Sequence, residues 1–185
     1  DEQLVKHYAT GRLSHETAAI MPDNRTVYMS DDDSAVYSHE TYNTASGGVL
    51  FKFVADVAGD LSAGSLFAAK LVQDDSANPN EAGFDVSWIE LGHSNNVEIA
   101  AWVAEYDGIE VADYVDGQTN YVSDGEIRAH AEGTAPDGRA AFLESRRTAA
   151  AMGATNEWDK LEGVTAHGSD VFVAVSALSF TMDKS

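Results

Sequence analysis

The chain has 185 residues, 44% of them hydrophobic, and its 11 Lys and Arg against 31 Asp and Glu leave a net charge of −20. At about 150 residues per domain this is one domain with enough chain for a core. So acidic a surface repels polyanions, which excludes nucleic acid and anionic membrane surfaces as partners, and no apolar run is long enough to insert across a membrane.

There is no Cys, which removes disulfides, zinc–thiolate sites and a thiol nucleophile. Asp1-Glu2-Gln3 lacks the basic and apolar regions of a signal peptide, so the protein is cytosolic or its leader is not in this chain. The acidity is either a solvated surface or, in part, a cation-rich site, because clustered carboxylates repel unless they are hydrated or neutralised.

In chain order, Thr26-Val27-Tyr28-Met29 follows the turn Pro22-Asp23-Asn24-Arg25, and Val49 to Val54 follows Gly47-Gly48. Both are β-rich runs bounded by breakers and read as antiparallel strands. Ser65 to Val72 is a third, and Phe84, Val86 and Trp88 alternating with Asp85 and Ser87 mark a fourth, half-buried one. The strand pair Val49–Val54 and Ser65–Val72 is predicted to be adjacent and antiparallel. Next, Ile99, Trp102, Val103 and Tyr106 share a helical face behind Asn95, with Glu98 placed as in a capping box. Asp107 to Pro136 reads as a long loop with at most one hairpin. From Asp137 to Met152 the spacing predicts one helix with Phe142, Ser145, Ala149 and Met152 on a face, closed by Gly153. Val171 to Val175 is a last strand. Short strands between turn signals suit propeller blades, so the predicted fold class is mainly β with inserted helices: β-propeller-like antiparallel sheets forming part of a propeller.

Several side chains could carry chemistry. Asp31-Asp32-Asp33 directly follow a strand, which puts rigid backbone behind oxygen ligands of the kind calcium takes; the alternative is a solvated acidic turn. Their spacing is not that of an EF-hand. Ser14-His15-Glu16 is not a catalytic triad, since neighbours on a strand face opposite sides. Glu16, ahead of Ala18-Ala19-Ile20, and Glu162, within Lys160-Leu161-Glu162-Gly163-Val164, are carboxylates beside apolar residues; each is either an ordinary strand Glu or a group that needs a partner or a metal. The histidines at 7, 15, 39, 93, 130 and 167 lack zincin spacing, and dinucleotide-binding, P-loop and nucleophile-elbow patterns are missing. Trp88, Trp102 and Trp158 read as packing residues.

The order Gly11-Arg12-Leu13-Ser14-His15-Glu16, Val27-Tyr28-Met29-Ser30-Asp31-Asp32, Phe51-Lys52-Phe53-Val54, Asp60 to Lys70, Trp88 to His93, Ala141 to Arg147, Gly153-Ala154-Thr155 and Leu161-Glu162-Gly163-Val164 resembles the PhoX-type alkaline phosphatases. The resemblance implies a β-propeller with inserted helices, a periplasmic or secreted protein, and a phosphomonoesterase whose cofactor joins iron and calcium through carboxylates. It makes Glu16, Asp31 or Asp32, and Glu162 the metal ligands. Lys160-Leu161 stands where the characterised phosphatases have Arg-Pro, so Lys160 becomes a phosphate contact by point charge in place of a fork. A cysteine and further acidic ligands that the family uses have no counterpart here. The chain is therefore read as a single-domain C-terminal portion, inactive alone or completed by a further part of the protein or another copy. The rival reading is a non-catalytic acidic β-domain that binds calcium or a partner. If Glu16 and Glu162 share a cation, their Cα atoms should converge.

Overall fold

The computed structural model describes residues 3–32, 47–74, 83–108, 110, 112 and 122–177. Five strands, β1 (His15–Ile20), β2 (Thr26–Asp31), β3 (Leu50–Val57), β4 (Asp60–Gln73) and β5 (Phe84–Asn95), form one sheet in chain order. Every neighbouring pair is antiparallel, with Met29 opposite Phe51 and Phe51 opposite Ala68. The predicted pairing of Val49–Val54 with Ser65–Val72 is therefore present, as β3 beside β4. The β1–β2 turn places Asn24 at φ 53, a left-handed backbone that Asn tolerates better than most residues. The carboxylate of Asp23 accepts the amides of Arg25 and Thr26, each at 2.9 Å.

Period-two alternation gives this sheet two unlike faces. Val27, Met29, Phe51, Phe53, Leu66, Ala68 and Leu91 lie on the inner face and are buried. Against them packs a layer of helices: α1 (Asn96–Ala104), α2 (Asp124–Ala131), α3 (Arg139–Leu143) and α4 (Ser145–Ala151). Ile99, Trp102, Ile127, Phe142 and Ala149 complete a single core with the strands. On the outer face the Lys52 ammonium sits 4.7 Å from the Phe67 ring centre and 4.4 Å from that of Trp88, and partial burial there lowers its pKa. A hairpin of β6 (Leu161–His167) and β7 (Asp170–Val175) is a separate antiparallel pair. It meets β1 where the Val164 amide donates to Thr17 Oγ1 at 2.6 Å.

The chain is thus mainly β with antiparallel sheets, as the sequence implies, and the described strands close neither a barrel nor a propeller ring. Other expectations need correction. The helix from Asp137 to Met152 is two short ones, broken at Glu144 (φ −138, ψ 53). The Ser145 hydroxyl donates to Ala141 O at 2.7 Å, the acceptor that the Ser145 amide takes in a continuous helix, while Ala140 O accepts both the Glu144 amide at 3.1 Å and the Thr148 hydroxyl at 2.8 Å. Gly153 does follow at φ 84, where a glycine relieves a left-handed terminus.

The long loop contains α2, whose Ser123 and Glu126 form a complete capping box; residues 109, 111 and 113–121 of that stretch lie outside the described residues. Around α1, Asn95 caps the amides of Val97 and Glu98, but the Glu98 carboxylate turns to the Ser94 hydroxyl at 2.6 Å. Only half of the predicted box is used. The alternating run at the start of β5 is not half-buried: Phe84 is 48% and Val86 50% exposed, and Asp85 and Ser87 on the other face are exposed as well, so the strand begins beyond the cover of the core.

Candidate functional site

The predicted chemistry converges on the end of β2, where consecutive carboxylates leave a strand on opposite sides. Asp31 points inward and is 0% exposed. Arg146 of α4 grips it with both arms of its fork, Nε donating to Oδ2 at 2.7 Å and Nη2 to Oδ1 at 2.5 Å. The amides of Ser14 and Val49 add donors at 2.8 and 3.3 Å. Four donors thus replace the water that burial removes, the condition under which a buried carboxylate is tolerated. Arg146 Nη2 also reaches the Ser14 hydroxyl at 3.3 Å, tying β2, α4 and the segment before β1 together.

Asp32 faces the other way, with its side chain 20% exposed. Its Oδ2 lies 3.6 Å from Lys160 Nζ, while its Oδ1 is shielded from solvent with no hydrogen-bond partner. The same ammonium lies 3.5 Å from Glu162 Oε1, which also accepts the Ser176 hydroxyl at 3.1 Å. One Lys cation therefore sits between two carboxylates. Asp32, and after it Glu162, raises the Lys160 pKa, so the group stays protonated across the neutral and alkaline range.

The backbone holds this arrangement. Lys160 adopts φ 60, a left-handed conformation that costs a non-glycine residue energy. Its carbonyl accepts the amides of Glu162 at 2.9 Å and Ser176 at 3.0 Å, pinning the turn into β6. The segment before it is held to β2 by the glycine pair that the sequence suggested only as a breaker. The Gly48 amide donates to Trp158 O at 2.6 Å, and a Cβ on Gly48 would lie 2.1 Å from Asp31 O. Only glycine lets these backbones approach so closely.

Of the five residues singled out by sequence, Asp32, Lys160 and Glu162 meet at this corner. Asp31 is engaged by Arg146 instead. Glu16 is exposed on β1, not carried into a partly buried place, because β1 is an edge strand and only Ala19 of Ala18-Ala19-Ile20 is buried. Thr17, its neighbour, is what brings β1 to β6. Asp33 and His39 lie outside the described residues. Among those described, no group of three or more His, Asp and Glu is arranged to hold a metal.

Sequence reasoning gives Arg146 no role beyond its place in the run from Ala141 to Arg147. Its signal was chemical: an Arg among the small residues Ser145, Thr148 and Ala149, all buried, needs an anion nearby.

A family model described as alkaline phosphatase PhoX matches residues 2–182. The chain belongs to the PhoX alkaline phosphatase family. No curated protein and no solved structure matches it. Membership covers essentially the whole chain and makes a phosphoester hydrolase the frame in which the Asp32–Lys160–Glu162 corner is to be understood.

Proposed function

We propose that this protein is a metal-dependent phosphomonoesterase and that Asp32, Lys160 and Glu162 form part of its site. The observation carrying this reading is a charged, 40% exposed ammonium held between two carboxylates in a chain of the PhoX family. The donor set is all oxygen, which suits a hard cation such as calcium, and the unpartnered Oδ1 of Asp32 is the kind of acceptor such a cation would satisfy. Asp32 and Glu162 would hold it. When bound, a metal at this corner neutralises phosphate charge and supplies an activated oxygen.

Lys160 meets a phosphate oxygen as a point charge, and its flexible stem lets it do so without the fixed geometry of a guanidinium. Asp31 keeps the strand end in place through Arg146 instead of serving as a ligand. Glu16 joins only if β1 turns its exposed carboxylate toward β6. Calcium takes about six to eight oxygens, so the remaining donors come from residues outside those described, a second copy of this chain or a further stretch of the protein. Iron rests on the family resemblance alone, as do export to the periplasm or medium and the role of the five-stranded sheet as one blade of a propeller.

The test is turnover of a generic phosphomonoester with added calcium, alongside iron and calcium content. Lys160→Met should raise KM about tenfold or more, the loss of one charged contact. Turnover unaffected by the substitution would remove Lys160 from the site.

One observation favours a second reading. The ammonium is already engaged by both carboxylates, as suits an acidic domain that binds calcium or a partner without catalysis. Bound calcium with neither iron nor turnover would establish it.

A further inference from the structure

We infer that Lys160 is a tethered counter-cation at this corner, so that a divalent cation gains Asp32 and Glu162 only by displacing its ammonium. The inference rests on the reading of those two carboxylates as cation ligands. It concerns what stands in their way. The ammonium lies almost midway between them, 3.6 Å from Asp32 Oδ2 and 3.5 Å from Glu162 Oε1. A single positive charge there satisfies one oxygen of each and leaves Asp32 Oδ1 shielded and unpartnered. The corner is charge-balanced only in part, with one cation for two anions.

The tether is built into the backbone. Residue 160 stands at φ 60 with its carbonyl held by two amides, so the start of the stem is fixed while its four-carbon length stays free to swing. Three donors on a strongly hydrated head group move easily between partners. Displacement by a divalent cation would exchange one charge for two, satisfy the orphaned oxygen, and release the ammonium toward whatever anion the cation attracts. Lys160 thereby lowers the corner's affinity for metal and becomes available as an anion contact once metal enters.

The experiment is calorimetric titration of the full chain with calcium alone. Native protein is compared with Lys160→Gln, Lys160→Gly, Lys160→Arg and the double variant Lys160→Gln/Glu162→Gln. Lys160→Gly removes the cation while suiting the left-handed backbone, so it guards against a Gln variant that fails to fold. Removing the ammonium should tighten calcium binding about tenfold, Arg should leave it near native, and the added Glu162→Gln should abolish the gain. Equal calcium affinity with and without the ammonium overturns the inference, as does a gain that survives Glu162→Gln or that appears with Arg. Turnover by the native chain is read separately. A calcium gain in Lys160→Gln beside an inactive native protein would keep the tethered cation and discard the phosphatase reading.

Discussion

Asp31 ends β2 and Asp32 follows it directly, yet one step along the chain sends them into opposite electrostatic settings. Asp31 is sealed, with four donors on its two oxygens. Asp32 shares one exposed ammonium with Glu162 and keeps an oxygen that nothing satisfies. The first arrangement holds strand to helix. The second sets one cation, reachable from solvent, against two carboxylates. One step along the chain thus separates a sealed carboxylate from an open one.

The largest expected effect breaks the sealed pair. Arg146→Ala leaves Asp31 buried without its fork and should cost about 3–5 kcal/mol, measured by denaturant unfolding. A loss under about 1 kcal/mol would mean that the two backbone amides suffice. Arg146→Met with Asp31→Leu should recover much of the loss, because an apolar pair of similar volume avoids desolvating charge. Next in size is Gly48→Ala. Its Cβ would collide with Asp31 O at 2.1 Å, a backbone obstacle that cannot swing aside, and overpacking of this kind costs about 1–3 kcal/mol. The same substitution should disturb the open corner, since Gly48 holds the Trp158 segment that leads into Lys160. A variant of native stability would show that the segment is positioned by other contacts.

These two positions also show how much was legible beforehand. Strands β2 to β5 and β7 were readable because they run β-branched and aromatic residues between breakers, and the pairing of β3 with β4 follows from a short Gly59 turn. The split of the last long helix was not, because Ser145 reads as an ordinary helix residue until its hydroxyl is seen taking Ala141 O. The capping box of Ser123 and Glu126 was readable in principle, but the Gly- and Asp-rich stretch before it made the whole region look like loop. At the site, Asp32, Lys160 and Glu162 came from family order, and their meeting confirms only that they are neighbours. Which of two adjacent aspartates faces Arg146 depends on strand register, and the need for Gly48 depends on an approach between segments about a hundred residues apart in the chain. Neither is a local property.

The open corner should respond weakly to loss of its cation. Lys160→Gln removes a 40% exposed ammonium whose ion pairs are screened by solvent; the backbone strain is untouched because Gln has the same Cβ. An unfolding midpoint close to native, together with a changed KM, would sharpen the contrast with Arg146. A loss as large as that of Arg146→Ala would erase it.

Burial and hydrogen bonding differ together between Asp31 and Asp32, and Asp23 separates them. It is hydrogen-bonded by the Thr26 amide and hydroxyl and by the Arg25 amide, yet it stands exposed in the β1–β2 turn. Those bonds, Thr26 first, pull its pKa from the usual 3.8 down to about 2. The folded state therefore binds its proton less readily than the unfolded chain, and the stabilisation it gives is complete above the unfolded value and fades as pH falls through the folded one. Asp23→Ala should lower stability by a small, constant amount above about pH 5, and the gap from native should close toward about pH 2. A gap that persists in acid would mean that Asp23 acts through turn geometry and not charge. A gap that closes would show that bonds to an exposed carboxylate stabilise through charge, leaving burial as the reason for the larger loss predicted at Asp31.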